Sequence, residues 1–109
     1  MNVNKISPKE LYEKMKKDNP VFLLDVRASE KFDADHIEGT TRNIPKNIIF
    51  EMDEKSAQAV ELPKDEEIVV TCTTGNSAAK CAAILAEKDY NVLVLEGGVT
   101  AWKEYVKSL

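Results

Sequence analysis

Ile68-Val69-Val70-Thr71-Cys72-Thr73-Thr74-Gly75-Asn76-Ser77 is the stretch of sequence that decides the fold. Its first three residues form a continuous apolar run, which is typical of a strand buried on both faces of a parallel sheet. The segment 77–88 that follows is rich in Ala and Leu and is long enough for about three helical turns. A second apolar run, Val92–Leu95, comes next. This strand-helix-strand order predicts two parallel strands joined by a right-handed crossover.

The rest of the chain fits the same architecture. A third apolar run, at 21–24, predicts another buried strand, and residues 3–6 predict an edge strand. Ser7-Pro8-Lys9-Glu10 combines an N-cap, a proline in the first turn and a glutamate three residues after the cap, which predicts the start of a helix. We further expect a short strand at 43–45 and helices over 48–60 and 99–107. No repeat or linker interrupts the sequence, so we expect one domain over residues 1–109, built as an open α/β sheet with helices on both faces.

Composition and charge exclude several classes of protein. The chain is 43% hydrophobic and 31% charged, which is typical of a globular protein. No apolar run approaches the roughly 20 residues that span a bilayer, and the start of the chain resembles neither a signal peptide nor a transit peptide, so we expect a cytoplasmic location. The net charge of −4 comes from intermixed residues, without a basic cluster for nucleic acid. Two cysteines and one histidine are too few for a structural zinc site, and we expect no bound metal.

Cys72 is the first candidate for chemistry. It directly follows an apolar run, at the carboxyl end of the predicted strand, where ligands bind in open α/β sheets. The backbone N–H groups of the polar loop that follows, together with a helix N-terminus, favour an anionic sulfur there and make Cys72 a candidate nucleophile. The alternative is a buried cysteine that only packs. The candidate binding loop consists of Thr73, Thr74, Gly75, Asn76 and Ser77.

Three segments in order resemble the motifs of rhodanese domains. The loop at 72–77 resembles the family's active-site loop, in which Cys-x-x-Gly-x-x precedes a helix. Upstream, Leu24-Asp25-Val26-Arg27 with the later His36-Ile37-Glu38-Gly39 and Asn43-Ile44-Pro45 resembles the motif that begins Asp-Val-Arg. Downstream, Gly97-Gly98-Val99-Thr100-Ala101-Trp102 resembles the closing Gly-Gly-x-x-Ala-Trp. Together these segments cover nearly the whole chain.

The resemblance implies a five-stranded parallel sheet between helices and a sulfurtransferase activity. In that activity the Cys72 thiolate takes a sulfane sulfur from thiosulfate or a persulfide donor, holds it as a persulfide in the loop at 73–77, and passes it to a thiophilic acceptor. It implies no metal and no organic cofactor. The partner is then a small sulfur-containing substrate or a persulfidated protein, with no role for nucleic acid or a membrane, and the oligomeric state stays open.

The loop departs from the family pattern in its charge. Many rhodaneses carry Arg or Lys one or five positions after the cysteine, whereas this chain has Thr73 and Ser77. A fixed cation offsets the cost of moving a compact dianion such as thiosulfate out of water. From the loop alone we therefore expect persulfide or polysulfide donors to be preferred to thiosulfate.

Other residues are expected to support the site. Asp25 and Arg27 follow a buried strand and should lie at the same sheet edge as Cys72, as an ion pair that supports the site, with a direct catalytic role as the alternative. His36 is the only histidine, and in the resembling motif it belongs to a turn, so we assign it the same supporting role, with a general base as the alternative. Cys81 falls within the Ala-rich helix and is expected to be a small core residue, with a resolving thiol as the alternative.

Two other function classes compete with sulfur transfer. Phosphatases and arsenate reductases of this fold need Cys-x5-Arg, because a guanidinium fork binds the oxyanion. The sixth residue after Cys72 is Ala78, and no arginine follows Arg42, so this class is disfavoured. The second class is a non-catalytic sulfur carrier or interaction module. The presence of Cys72 favours a function that uses a reactive cysteine, but it does not distinguish an enzyme from a sulfur carrier.

Overall fold

The computed structural model describes residues 3–17, 21–53 and 61–109. In these ranges a five-stranded sheet has the order β1-β5-β4-β2-β3, and every neighbouring pair is parallel. The expected α/β class and the five-stranded parallel sheet are thereby confirmed. The strands are β1 Asn4–Ile6, β2 Phe22–Asp25, β3 Arg42–Asn43, β4 Ile68–Thr71 and β5 Val92–Leu95. The helices are α1 Pro8–Lys16, α2 Ser29–Ala34, α3 Lys46–Phe50, α4 Asn76–Glu87 and α5 Gly98–Lys107.

The sheet is covered by helices on both faces, as predicted. Successive strand side chains point to opposite faces, and β4 shows the consequence. Ile68 and Val70 pack in one hydrophobic cluster with residues of α3 and α4, whereas Val69 packs in a second cluster with residues of α1 and α5. A strand that is buried on both faces must be apolar throughout, which explains the continuous run that marked β4 in the sequence.

The predicted elements agree with the structure at most boundaries. The Ser7 hydroxyl accepts from the Glu10 backbone N–H at 3.1 Å, and the Glu10 carboxylate accepts from the Ser7 backbone N–H at 3.2 Å, so the helix start is confirmed. The short strand expected at 43–45 lies at 42–43, because Pro45 has no N–H to continue the ladder. The helix expected over 48–60 begins earlier, at Lys46, and ends at Phe50, while residues 54–60 lie outside the described ranges.

Helix α2 was not predicted from the sequence. It has no buried residue and no side-chain hydrogen bond at its N-cap, so it carries neither the apolar periodicity nor the capping signal that marks other helices. Among the helices within the described ranges, none is both long and apolar enough to span a membrane.

The chain connectivity creates a crevice between β2 and β4. These strands are neighbours in the sheet, but β2 continues to β3 on one side and β4 continues towards β5 on the other. Loops that leave adjacent strands in opposite directions open a gap at the carboxyl edge of a parallel sheet, which is where ligands bind in such folds. Cys72 follows β4 at this edge, and Val26 follows β2.

Candidate active site at the Cys72 loop

The sulfur of Cys72 accepts hydrogen bonds from two backbone amides. The Gly75 N–H donates to Sγ over 3.0 Å, and the Ala78 N–H donates to it over 3.3 Å. Donors aimed at one atom favour negative charge on it, and the first turn of α4 adds the positive end of its helix dipole. The arrangement stabilises negative charge on Sγ, as in a thiolate.

Two glycines give the loop its shape. Gly75 has a φ of 103°, a left-handed conformation that allows the chain to turn back so that its own N–H faces the sulfur. Gly98, in the first turn of α5, has a φ of 61° and packs directly against the loop backbone. The neighbouring Val99 N–H donates to the Cys72 carbonyl at 2.8 Å, so the start of α5 is hydrogen-bonded to the loop.

Replacement of Gly98 by Ala should displace the loop and impair the site. A Cβ at this position would lie 2.3 Å from the Cys72 carbonyl oxygen and 2.7 Å from that of Thr73, so backbone must move. Gly39→Ala is the matched control, because it also introduces a side chain at positive φ but meets only the flexible end of Met15. Both variants should lose about 1–3 kcal/mol of unfolding free energy through backbone strain. Only Gly98→Ala should also lose most of its reaction rate with an alkylating agent at Cys72, and equal rates in the two variants would contradict this description of the loop.

Cys72 opens onto a pocket of about 310 Å³ at the crevice between β2 and β4. The side chain is only 5% exposed, so the sulfur lies at the floor of this pocket. The structure thus brings Cys72 together with most of its predicted loop. The pocket is lined by Val26, Arg27, Ala28, Lys31, Lys46, Cys72, Thr73, Thr74, Asn76 and Ser77.

Asp25 and Arg27 form a buried ion pair beside the pocket. Asp25 is fully buried, and the Arg27 side chain is 8% exposed. The guanidinium contacts both carboxylate oxygens over 2.8–3.1 Å, and its Nη2 also donates to the Asp35 carbonyl at 2.7 Å. The Asn43 side-chain amide donates to the carbonyls of both Asp25 and Arg27 at 3.0 Å. These bonds hold the pocket wall that follows β2 in one conformation.

His36 lies outside the Cys72 pocket. Its Nδ1 donates to the Phe32 carbonyl at 2.9 Å, and its ring stacks on that of Phe32 with centroids 4.1 Å apart. It lines a separate apolar pocket of about 240 Å³ with Val99 and Trp102. The structure therefore does not bring His36 to the Cys72 pocket, which Arg27 lines.

Cys81 is buried in the core that includes α4, with no exposed surface. Burial, with a smaller contribution from the nearby Cys72, raises the pKa of its thiol to about 12, and Lys46 acts in the opposite direction. A thiol with such a pKa stays protonated near neutral pH and is a poor nucleophile. Within the described ranges, no three His, Cys, Asp or Glu side chains lie close enough together to hold a metal ion.

The charge of the pocket differs from what the loop sequence suggests. Thr73 and Ser77 line the pocket and contribute no positive charge, as the sequence indicates. Lys31 from α2 and Lys46 from α3 line it as well, so the pocket as a whole is basic. Sequence reasoning missed both lysines because only the fold brings α2 and α3 next to the loop. Lys46 directly follows Asn43-Ile44-Pro45, the segment predicted as a short strand, and its position after a strand was the one available signal.

The chain is similar to known proteins over most of its length. The chain is 30% identical over 107 residues to YtwF of Bacillus subtilis, a protein named as a sulfurtransferase, and the match covers 98% of this chain and 97% of YtwF. It is 29% identical over 104 residues to a protein of Allochromatium vinosum named sulfurtransferase, covering 94% and 91% of the two chains. A crystal structure of a rhodanese-related protein from Thermoplasma volcanium superposes with a TM-score of 0.78 at 27% identity, covering 94% and 92%.

The match to a known family extends over most of the chain. Residues 7–105 match the family described as Rhodanese-like domain, a range that includes the Asp25–Arg27 pair, the Cys72 loop and the start of α5. With its parallel sheet and this match, the chain belongs to the rhodanese-like domain family.

Proposed function

We propose that this protein is a sulfurtransferase that carries a sulfane sulfur as a persulfide on Cys72. The observation that carries the proposal is the pair of amide bonds to the Cys72 sulfur at the floor of an open pocket. A cysteine with a purely structural role in the core would need neither two N–H donors on its sulfur nor a pocket that opens to it. The names of the relatives from B. subtilis and A. vinosum support the same activity.

The first half-reaction transfers a sulfur atom from the donor to Cys72. The Cys72 thiolate attacks the outer sulfur of thiosulfate, the new Sγ–S bond forms as the S–S bond of thiosulfate breaks, and sulfite leaves with the bonding electron pair. With a persulfide donor the leaving group is the donor's thiolate. Neither version needs an external oxidant or reductant. The N–H groups of Gly75 and Ala78 lie where they can stabilise the negative charge on Sγ of the attacking thiolate.

The second half-reaction removes the sulfur from Cys72. A thiophilic acceptor such as cyanide attacks the terminal sulfur of the persulfide, the Sγ–S bond breaks, and Cys72 is released as the thiolate. Covalent catalysis of this kind divides one difficult transfer into two easier ones. No general base is required because the leaving group is already an anion, which agrees with the position of His36 outside the pocket. The donor in this proposal is a small sulfur compound or a persulfidated protein.

Steady-state kinetics with two substrates tests the proposal. A persulfide intermediate predicts a double-displacement mechanism, so double-reciprocal plots of thiocyanate formation should be parallel when thiosulfate is varied at several cyanide concentrations. Converging lines would contradict a free persulfide form of the enzyme. Stoichiometric loading without multiple turnover would instead identify a sulfur carrier.

A further inference from the structure

The pocket above Cys72 is uniformly basic. Its lining includes Arg27, Lys31 and Lys46 and contains no carboxylate, although the chain as a whole carries a net charge of −4. A concave surface lined by one sign of charge focuses its field and raises the local concentration of ligands of the opposite sign. The structure therefore favours anionic ligands at this pocket.

Arg27 is not available for this role. Its guanidinium is engaged by both oxygens of the Asp25 carboxylate and by the Asp35 carbonyl. A cation that already balances a buried carboxylate adds little net attraction for a second anion. Lys31 lies on α2, which has no buried residue to fix its position. Among the described residues, neither Lys31 nor Lys46 forms an ion pair.

Lys46 is the better-positioned of the two lysines. Its backbone N–H donates to the Val26 carbonyl at 2.9 Å, which fixes the start of α3 to the pocket wall. Helix α3 is held by the fully buried Ile49 and packs against α4, the helix that follows the cysteine loop. Lys46 also acts electrostatically on the interior near the loop: its positive charge lowers the pKa of Cys81, against the effect of burial.

We propose that Lys46 is a specificity-determining residue that selects anionic sulfur donors for Cys72. The inference rests on the proposed sulfur transfer and names the residue that replaces the cation missing at positions 73 and 77. With thiosulfate, the Lys46 ammonium attracts the dianion and then the sulfite that leaves. This reverses the expectation drawn from the loop alone, in which thiosulfate was the poorer donor.

Alkylation with two reagents of different charge tests Lys46 without relying on sulfur transfer. Iodoacetate is an anion and iodoacetamide is neutral, so the ratio of their rate constants at Cys72 reports the local potential and cancels changes in thiol reactivity. Cys81 does not interfere because it is fully buried and its pKa is raised to about 12. Lys46→Gln should lower the ratio about tenfold, as expected for one cation in a partly solvated pocket, and added salt should reduce the difference.

Matched variants isolate the charge of Lys46 from other effects. Lys46→Arg should keep most of the wild-type ratio because it keeps the charge. Lys80→Gln removes the same charge from an exposed position on α4 outside the pocket lining, and it should change the ratio less than about twofold. An unchanged ratio in Lys46→Gln, or an equal fall in Lys80→Gln, would overturn the proposal.

Donor kinetics then connect the charge to specificity. In Lys46→Gln, kcat/KM for thiosulfate should fall about tenfold relative to kcat/KM for a small alkyl persulfide, which carries less charge. An equal fall for both donors would assign Lys46 a general effect on the thiolate and refute selection. If the alkylation ratio falls while the wild type transfers no sulfur, the anion site stands and the proposed sulfurtransferase function fails.

Discussion

Cys72→Ser should abolish sulfur transfer, with kcat/KM falling by at least about 1000-fold, while the fold is retained. A serine hydroxyl cannot form a persulfide, so the covalent route is lost. It can still accept hydrogen bonds from Gly75 and Ala78, which should hold the loop near its present shape. The measurement is thiocyanate formation, with circular dichroism and the denaturation midpoint as the check on folding.

Cys81→Ala is the matched control for the loss of a thiol. Cys81 is fully buried among residues of α4 and its raised pKa keeps it protonated, so its removal should leave most of the activity. The small cavity should instead lower the denaturation midpoint. Equal loss of activity in the two variants would contradict a mechanism with one reactive thiol and would favour a resolving role for Cys81.

Arg27→Ala should be the most destabilising substitution at the site. It leaves the carboxylate of Asp25, which is fully buried, without a counterion, and breaking a buried pair in this way costs about 3–5 kcal/mol of unfolding free energy. The carboxylate also accepts from the Arg27 backbone N–H at 2.9 Å, a bond that the variant can keep. Urea denaturation of the wild type and the variant gives the difference directly.

Two further variants show whether the cost arises from burial of the charge. Lys103 forms an ion pair with Asp35 in which both side chains are about half exposed, and Lys103→Ala should leave the urea midpoint unchanged. The double variant Asp25→Asn, Arg27→Met removes both charges and should recover part of the stability lost in Arg27→Ala. A similar loss in Lys103→Ala and Arg27→Ala would mean that the buried pair has no special role.

Most of the fold could be predicted from the sequence because its three central strands, β2, β4 and β5, are buried on both faces. β4 and β5 are apolar at nearly every position, and α1 begins with a complete capping box, so both carry strong local signals. α2 lacks such a signal and could not be found by periodicity. The boundaries of β3 and α3 differ from expectation because Pro45 ends the strand and precedes the helix.

The candidate site was predictable to the extent that it is local in sequence. Cys72 and its loop are consecutive residues between a strand and a helix, so their proximity follows from the pattern itself. The pairing of Asp25 with Arg27 also follows from neighbouring positions at a strand end. The contribution of Lys46 to the pocket depends instead on how α3 packs against α4, and no spacing in the sequence shows that.

Intact mass spectrometry of the protein after incubation with thiosulfate, and separately with a polysulfide donor, is the most direct test of a persulfide on Cys72. We expect a gain equal to the mass of one sulfur atom, which disappears when cyanide is added. Trypsin cleaves after Lys80 and so separates Cys72 from Cys81, and the added sulfur should lie on the peptide that contains Cys72. No gain with either donor, or a gain only on the peptide that begins with Cys81, would contradict it.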